Sequence, residues 1–278
     1  MGKSISIACK IALVSKSGYY KWLSRKDQEP KDYDDYLTIK KIFENGHKKL
    51  GWRSVQMGLS GKGIVMNHKK IRRIMNSYGL HCEIRRKNPY KNIMKKTQEH
   101  RTFENVLERK FLQLVPRKVL CTDITYLYYG SGRKAYLSVI KDIASGEALA
   151  WEISQNLELS FVLNTVSKLE GMELNSKCII HSDQGFHYTN PLYIQKIKQL
   201  NIIQSMSRKG NCIDNAPMES FFGHLKDELD IKSCVTFEQL SIKVKEHMQY
   251  YNEQRNQWGL KKMTPIKYRD HLLAACAA

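Results

Sequence analysis

The spacing of apolar residues divides the chain into a helical first part and a later part with strand alternation. Residues 5–24 predict two short helices joined by a turn around Ser15 to Gly18, which resembles half of a helix-turn-helix. Residues 33–45 carry their apolar side chains on one side of a further helix, and Gly46 is placed to end it. The first part is therefore expected to be an all-helical unit.

Residues 50–80 predict a second helix-turn-helix. A helix over LGWRSVQMGL is followed by the turn SGKG and by a last helix that Asn67 opens and Gly79 closes. The inward face of that last helix has core spacing and consists of Ile71, Ile74, Met75 and Tyr78. Its outward face is basic and consists of Lys69, Lys70, Arg72 and Arg73. A basic helix of this kind suits a DNA groove, although a merely solvated charged face has the same pattern.

From Lys118 onward the pattern changes to strands. VLCTDITYLYY, RKAYLSVIKDIA and EALAWEISQN are separated by tight turns, which predicts an antiparallel meander. The elements that follow are a helix over 158–169, the strand CIIHS, a helix over 191–200, the strand IIQSMS, a helix over 216–229, a helix over 237–251 and a short basic tail. The order β-β-β-α-β-α-β-α predicts an α/β fold, a ribonuclease-H-like mixed five-stranded sheet with flanking helices.

Positive charge is concentrated in the helical part. Residues 1–120 hold 28 Lys and Arg against 10 Asp and Glu, whereas residues 121–278 hold 18 against 17. This imbalance indicates a polyanionic partner, and it favours nucleic acid over an anionic membrane surface. The predicted domains are a helix-turn-helix DNA-binding region (1–84), a basic linker (85–112) and a core with a C-terminal helix and tail (113–278). In the linker, phosphate contacts are expected from Arg85, Arg86 and Lys87.

The seven cysteines are odd in number and scattered. Because no C-x-x-C pair occurs, neither a disulfide framework nor a structural zinc site is predicted. Reduced thiols are typical of the cytosol, and no run approaches the roughly 20 apolar residues of a membrane span. We therefore expect a cytoplasmic, nucleoid-associated protein with no membrane partner.

Three carboxylates lie in unusual local contexts. Asp123 stands within the strand VLCTDITY, among β-branched and apolar neighbours. Asp183 directly follows the strand CIIHS, where open sheets gather their sites, although a turn residue before Gly185 has the same pattern. Glu219 falls in the first turn of a helix, at the edge of its apolar stripe, and is expected to face the sheet. Burying carboxylates is costly, so such positions indicate a metal site or catalysis.

The chemistry of these three side chains predicts hard cations. Oxygen donors without a Cys or His cluster select Mg²⁺, for which Mn²⁺ is a substitute. Two such ions about 4 Å apart would support an in-line phosphodiester displacement without a protein nucleophile. Lys226, seven residues after Glu219, would then contact a phosphate near the scissile bond.

The combined motifs resemble one known family. TDITY, HSDQGFHYT and SRKGNCIDNAPMESFFGHLKDE, with 35 residues between Asp183 and Glu219, are similar to the DDE transposases of the insertion sequence three (IS-three) family, second-frame (OrfB) product. The segments CKIALVSKSGYYKW and NHKKIRRIMNSYGL resemble that family's helix-turn-helix regions, and YNEQRNQWGLKKMTPIKY resembles its C-terminal signature. The resemblance covers nearly the whole chain.

This resemblance implies specific roles. Asp123, Asp183 and Glu219 carry over as the catalytic metal ligands and Lys226 as the accompanying cation. Similar proteins recognise the terminal inverted repeats of their element and act as multimers on paired DNA ends. They usually work as a fusion with an upstream first-frame protein made by ribosomal frameshifting.

Other functions remain open from the residues alone. A ribonuclease H would not need the basic helix-turn-helix regions, and a retroviral integrase should carry a His-His-Cys-Cys zinc module, which is absent from the sequence. A DNA-binding regulator with an inert catalytic domain is the alternative from another class. Four residues near the acids are interpreted first as packing residues, with substrate contact as the alternative: His181, His187, Tyr188 and His224.

Overall fold

The computed structural model describes residues 4–24, 31–82, 103–108, 110–207 and 215–277. The helices of this part are α1 (Ile5–Ile11), α2 (Lys16–Leu23), α3 (Tyr33–Asn45), α4 (Trp52–Ser60), α5 (His68–Ser77), α6 (Leu159–Ser167), α7 (Phe186–Thr189), α8 (Pro191–Gln199), α9 (Ala216–Glu228), α10 (Phe237–Glu253) and α11 (Pro265–Ala277). The strands are β1 (Val119–Tyr129), β2 (Arg133–Asp142), β3 (Ala148–Ser154), β4 (Ile179–Ser182) and β5 (Ile203–Met206). Arg85, Arg86 and Lys87 lie outside the described residues.

The five strands form one mixed sheet in the order β3-β2-β1-β4-β5. β1, β2 and β3 are the antiparallel meander that the turn signals predicted. β4 and β5 join β1 in parallel pairing, as strands separated by crossover helices do. The predicted ribonuclease-H-like, mixed five-stranded sheet is therefore confirmed.

Each face of the sheet has its own core, because side chains alternate along β1. Val119, Cys121 and Leu127 point to the face covered by α9 and α10. Leu120 points to the opposite face, where α6 and α8 pack. β1 is therefore sandwiched between helices over its first half.

The predicted helix-turn-helix exists as a bundle of α3, α4 and α5. The Asn67 side chain accepts a hydrogen bond from the Lys69 amide at 2.8 Å and caps α5 as expected. Tyr78 stacks on Tyr36 with ring centroids 3.8 Å apart. Gly58 lets α4 approach α3, since a Cβ there would lie 2.8 Å from Ile42. The bundle has its own core of buried side chains.

The helical bundle contacts the C-terminal helices. The His47 ring lies edge-on to Tyr250 of α10, with centroids 5.7 Å apart. A cleft of about 270 Å³ separates the two units and is lined by Gly46 and Lys62 on one side and by Arg255 and Lys267 on the other.

Three expectations about element boundaries are corrected. The predicted basic tail includes a thirteen-residue helix, α11, whose Arg269 binds Glu147 at 2.8 Å. Residues 103–108, assigned to the linker, pack on the sheet: Leu107 is buried, and its amide donates to Ser205 Oγ at 3.2 Å. The single-turn helix α7 after Asp183 was not predicted because four residues show no periodicity. No helix in the ranges above combines the length and apolarity needed to cross a bilayer.

Candidate active site and nucleic-acid interface

Asp123 lies in the middle of β1, as predicted. The four residues before it are buried. After it, Tyr126 and Tyr128 are exposed, so the helices that cover their face of β1 end close to Asp123. Its Oδ1 accepts a hydrogen bond from the Ile124 amide at 2.7 Å. By strand alternation Asp123 shares the face of Cys121, which is the face that α9 covers.

Asp183 follows the last residue of β4, also as predicted. Its Oδ1 accepts a hydrogen bond from the Gly185 amide at 2.9 Å, which folds the chain into α7. A Cβ on Gly185 would lie 2.8 Å from that oxygen, so glycine is needed for this turn. β1 and β4 pair with Cys121 opposite His181, and continuing this register brings Asp123 level with Asp183. Adjacent strands are about 4.8 Å apart, so the sheet brings the two carboxylates to one edge.

Glu219 lies in the first turn of α9, as predicted; that its carboxylate faces the sheet stays a prediction. The buried stripe of α9 consists of Met218, Phe221, Phe222 and Leu225, and Glu219 is exposed on its flank. Within the described ranges, no group of three or more His, Cys, Asp or Glu side chains is placed to hold a metal ion. The fold thus brings two of the three predicted carboxylates together and leaves the third on a neighbouring helix.

The flank of α9 that carries Glu219 is open. Gly223, one turn further on, has open space where a Cβ would be, and Lys226 is half-buried at the next turn. The acid, the gap and the cation predicted from the sequence therefore follow one another along this flank.

Two positioning residues were missed by sequence reasoning. Asn215, at the start of α9, is buried and donates its side-chain amide to the Thr122 carbonyl at 3.4 Å, which ties α9 to β1 next to Asp123. Gln184 donates to the Ser207 carbonyl at 3.1 Å and ties the Asp183 turn to the end of β5. The available signals were Gln184 directly after Asp183 and Asn215 four residues before Glu219, and amides are common in loops.

Tyr188 of α7 is buried, and its phenol is close enough to Asp123 and Asp183 to be affected by their charges. Burial, followed by the negative charges of Asp123 and Asp183, raises the pKa of its phenol well above the usual value. Thr122 approaches the hydroxyl and lowers that pKa, but the contact falls outside hydrogen-bonding geometry, so the hydroxyl has no partner among the described residues. Unpaired buried hydroxyls are uncommon and costly. The phenol therefore has a hydrogen-bond donor without an acceptor among the described residues, and it is close enough to both carboxylates for their charges to affect its pKa.

The three histidines near the acids have different environments. His181 is fully buried, and its Nδ1 lies 2.9 Å from Ser205 Oγ across β4 and β5, which is a structural role. His187 lies 3.4 Å from the Leu157 carbonyl and is half-buried. His224 is exposed on α9. None of them belongs to a metal-binding cluster of the described residues.

The four basic residues predicted on α5 fall into two pairs. Lys70 binds Asp35 at 2.5 Å, and Arg73 binds Asp32 at 2.7 Å, so acidic residues at the start of α3 already neutralise these two cations. Lys69 and Arg72 are exposed, and the Arg72 guanidinium lies over the Trp52 ring at 5.9 Å. Lys69 and Arg72 are therefore the basic residues of α5 that are most available to a ligand.

Profiles of known families match three parts of the chain. Two profiles described as "Integrase core domain" match residues 114–212 and 219–273, and one described as "HTH-like domain" matches residues 31–88. The first two cover the sheet, α9, α10 and most of α11. The third covers the bundle of α3 to α5.

Individual proteins match over most of the chain. The "Putative transposase InsK for insertion sequence element IS150" of Escherichia coli (strain K12) is 33% identical, over 94% of this chain and 92% of its own length. The "Transposase InsF for insertion sequence IS3A" of the same strain is 28% identical over 81% of this chain and 79% of its own. Among solved structures, the catalytic core domain of BIV integrase is 18% identical, covers 58% of this chain and 99% of its own, and has a TM-score of 0.44.

Proposed function

Since the chain belongs to the IS3 family of insertion-sequence transposases, we propose that it cuts and joins DNA strands at Asp123, Asp183 and Glu219. The reaction would be phosphodiester hydrolysis followed by transesterification at the terminal inverted repeats of its element. The observation that carries this assignment is the β1 to β4 register, which brings Asp123 level with Asp183. Carboxylates on neighbouring strands of an integrase core are suited to phosphoryl chemistry.

The donor set fits Mg²⁺, with Mn²⁺ as a substitute. Asp123 and Asp183 offer carboxylate oxygens at one sheet edge, and hard cations prefer such ligands. When bound, two such ions would activate the attacking oxygen and stabilise the leaving one. Glu219 would complete the set from α9, whose first turn Asn215 anchors beside Asp123. Lys226 would hold a phosphate along the same flank.

DNA would be bound by both parts of the chain. The bundle of α3 to α5 offers Lys69 and Arg72, with Lys70 and Arg73 available on exchange of their aspartate partners. Arg85, Arg86 and Lys87 would add phosphate contacts between bundle and core. Assembly as a homo-oligomer on paired ends, and action as a frameshift fusion with an upstream first-frame product, belong to the same proposal.

The test compares two aspartates in a cleavage assay on DNA that flanks the gene. Asp123→Asn should abolish Mg²⁺-dependent cleavage and strand transfer while DNA binding stays within about twofold. Asp230→Asn, which changes an exposed carboxylate just after α9, should leave both intact. Equal cleavage by wild type and Asp123→Asn would refute the assignment of the acids.

A DNA-binding regulator without catalysis is the second candidate. The exposed position of Glu219, apart from the two aspartates, is the observation that favours it. A regulator would bind the terminal repeats and cut them with neither Mg²⁺ nor Mn²⁺. Cleavage by wild type in either metal would exclude it.

A further inference from the structure

The indole of Trp52 contacts two arginine side chains and a histidine on the bundle of α3 to α5. Trp52 is the first residue of α4 and is half-buried, because it packs against the bundle core. The guanidinium carbons of Arg53 and Arg72 lie 5.0 and 5.9 Å from the centre of its ring. The His68 ring lies 5.7 Å away. We call this group, made of Trp52, Arg53, His68 and Arg72, the indole cluster.

The arginines of the indole cluster are exposed and have no acidic partner. Within the part of the chain that the structure describes, neither Arg53 nor Arg72 forms an ion pair. By contrast, Arg73, the next residue of α5, binds Asp32. Contact with an aromatic face restrains a guanidinium and leaves the N–H donors in its plane available. Arg72 is therefore a restrained, exposed hydrogen-bond donor on α5.

An apolar side chain lies in water at the same end of α5. Val65 is 97% exposed, in the segment that leads into this helix. Gln56 of α4 donates a hydrogen bond to the Met66 carbonyl at 3.4 Å, which ties that segment to α4. Val65 comes three residues before His68, the first residue of α5. Its methyl groups gain nothing from contact with phosphates, but they can pack on another apolar group.

The composition of this end of α5 matches the edges of base pairs. In a helix-turn-helix the second helix lies in the major groove, and its first residues contact the bases. α4 and α5 have this arrangement, and α5 is the second helix. Arginine donates to O6 and N7 of guanine, and apolar side chains pack on the methyl group of thymine. Contact with phosphates would require only the positive charge, whereas the restrained guanidinium and the exposed valine together fit bases.

We propose that Arg72 binds a guanine, and that Val65 contacts the methyl group of a nearby thymine, in the major groove of duplex DNA. Trp52 acts as a positioning residue, because its ring restrains the Arg72 guanidinium. The inference rests on the proposed function, since it takes DNA as the partner of the bundle. It adds which groups of the bases are recognised and which side chains recognise them.

The positions of the two residues limit how far apart the two bases are. From His68 to Arg72 the helix rises about 6 Å. The three residues from Val65 to His68 span at most about 10 Å. At 3.4 Å per base pair, the guanine and the thymine should therefore lie within about five base pairs of each other.

The first measurement removes one acceptor atom from the DNA. Full-length protein is titrated by fluorescence anisotropy, without divalent metal, with duplexes of the terminal repeat in which each guanine in turn is replaced by 7-deazaguanine, which lacks N7. Wild type should bind about fivefold more weakly when one of these guanines is replaced, since one hydrogen bond is lost. Arg72→Ala should bind that duplex and the unmodified duplex alike. Arg133→Ala removes another exposed arginine that lies over an aromatic ring, Tyr129 at 5.1 Å, and should respond as wild type does.

The second measurement removes one methyl group from the DNA. Each thymine in turn is replaced by uracil, which differs only in lacking the methyl group. Wild type should bind about threefold more weakly when one thymine near that guanine is replaced, which is the effect of one buried methyl group. Val65→Ala should bind the thymine and uracil duplexes alike. Val235→Ala shortens a valine that is 62% exposed just before α10, and it should respond as wild type does.

Three results would overturn the proposal. If Arg72→Ala still responds to 7-deazaguanine, Arg72 does not bind the guanine. If Val65→Ala still responds to uracil, Val65 does not contact the thymine. If wild type responds to neither base change, the bundle does not recognise bases.

These measurements are separate from the test of the proposed function, because they contain no divalent metal and record binding alone. If wild type cleaves its DNA ends but responds to neither base change, the proposed function stands and this inference fails. If it responds to both base changes but cleaves in neither Mg²⁺ nor Mn²⁺, this inference stands and the proposed function fails.

Discussion

Asp123 of β1 comes level with Asp183, the residue that directly follows β4, when the register that pairs Cys121 with His181 is continued by two residues. They are 60 positions apart along the chain. The pairing of β1 with β4 brings them to about the distance between neighbouring strands. The candidate site is therefore a product of strand register, and residues that fix this edge should affect activity.

Tyr188→Phe should lower activity without destabilising the protein. Its buried hydroxyl has no partner among the described residues and lies within electrostatic reach of both aspartates, so we expect it to donate a hydrogen bond at the carboxylate edge. Losing one such bond corresponds to about 1 kcal/mol, or roughly a fivefold slower cleavage. Single-turnover cleavage against Mg²⁺ concentration, together with thermal melting, measures both effects.

Tyr193→Phe is the matched control for Tyr188. Tyr193 packs edge-on to Tyr188 at 5.3 Å, and its buried hydroxyl likewise has no hydrogen-bond partner in the described ranges, but burial alone raises the pKa of its phenol. Removing this hydroxyl should leave cleavage unchanged and the melting temperature equal or higher. If the two variants behave alike in cleavage, Tyr188 has only a packing role.

Asn215→Ala should reduce cleavage more than its effect on stability explains. The variant loses the hydrogen bond to the Thr122 carbonyl that holds the start of α9 beside Asp123, and Glu219 lies one turn further along α9. We expect a stability loss of about 1 kcal/mol and a cleavage rate at least tenfold lower. Thr236→Ala removes the capping box of α10 at a similar stability cost and should leave the cleavage rate unchanged.

Lys69 and Arg72 should contribute more to DNA binding than Lys70 and Arg73. Lys69 and Arg72 can meet phosphates directly, whereas Lys70 and Arg73 must first leave Asp35 and Asp32. Lys69→Ala should lower the slope of log affinity against log salt by about 1, and Lys70→Ala should change it less. Equal slopes for the two variants would mean that the aspartates do not restrain the cation.

His247 should make the fold sensitive to acid. Burial, only partly opposed by Glu228 and reinforced by Arg255 and His47, lowers its pKa to about 4, whereas an unfolded histidine titrates near 6.5. Between these values the unfolded chain binds more protons. The free energy of unfolding should therefore fall as pH falls from about 6.5 to 4, by at most about 1.4 kcal/mol per pH unit.

The His247→Gln variant tests whether His247 causes this pH dependence of stability. This variant should have a flatter dependence of stability on pH over the same window, measured by urea unfolding at several pH values. The buried carboxyls Asp142 and Glu147, whose pKa values burial raises, titrate alike in both proteins and cancel in the difference. Parallel curves for the two proteins would exclude His247 as the source of acid sensitivity.

Elements with a repeated local pattern were predictable from sequence. The N-cap of α5, the end of α3 at Gly46 and the alternation of β1 depend on residues a few positions apart, and all three are found as predicted. α7 is too short to show periodicity, and α11 was hidden in a stretch assigned to a tail. These errors arise where helix formation depends on packing against distant residues and not on local spacing.

The amino-acid sequence by itself determined the order of the strands and of the helices other than α7 and α11, the five-stranded mixed sheet, and the element in or beside which each candidate acid lies, because short-range periodicity and capping specify them. Only the tertiary structure decided that Asp123 is level with Asp183, that Glu219 is exposed, and that Lys70 and Arg73 are paired with aspartates of α3. Strand register, helix rotation and ion pairing depend on contacts between residues far apart in the chain. Local sequence patterns do not predict those contacts.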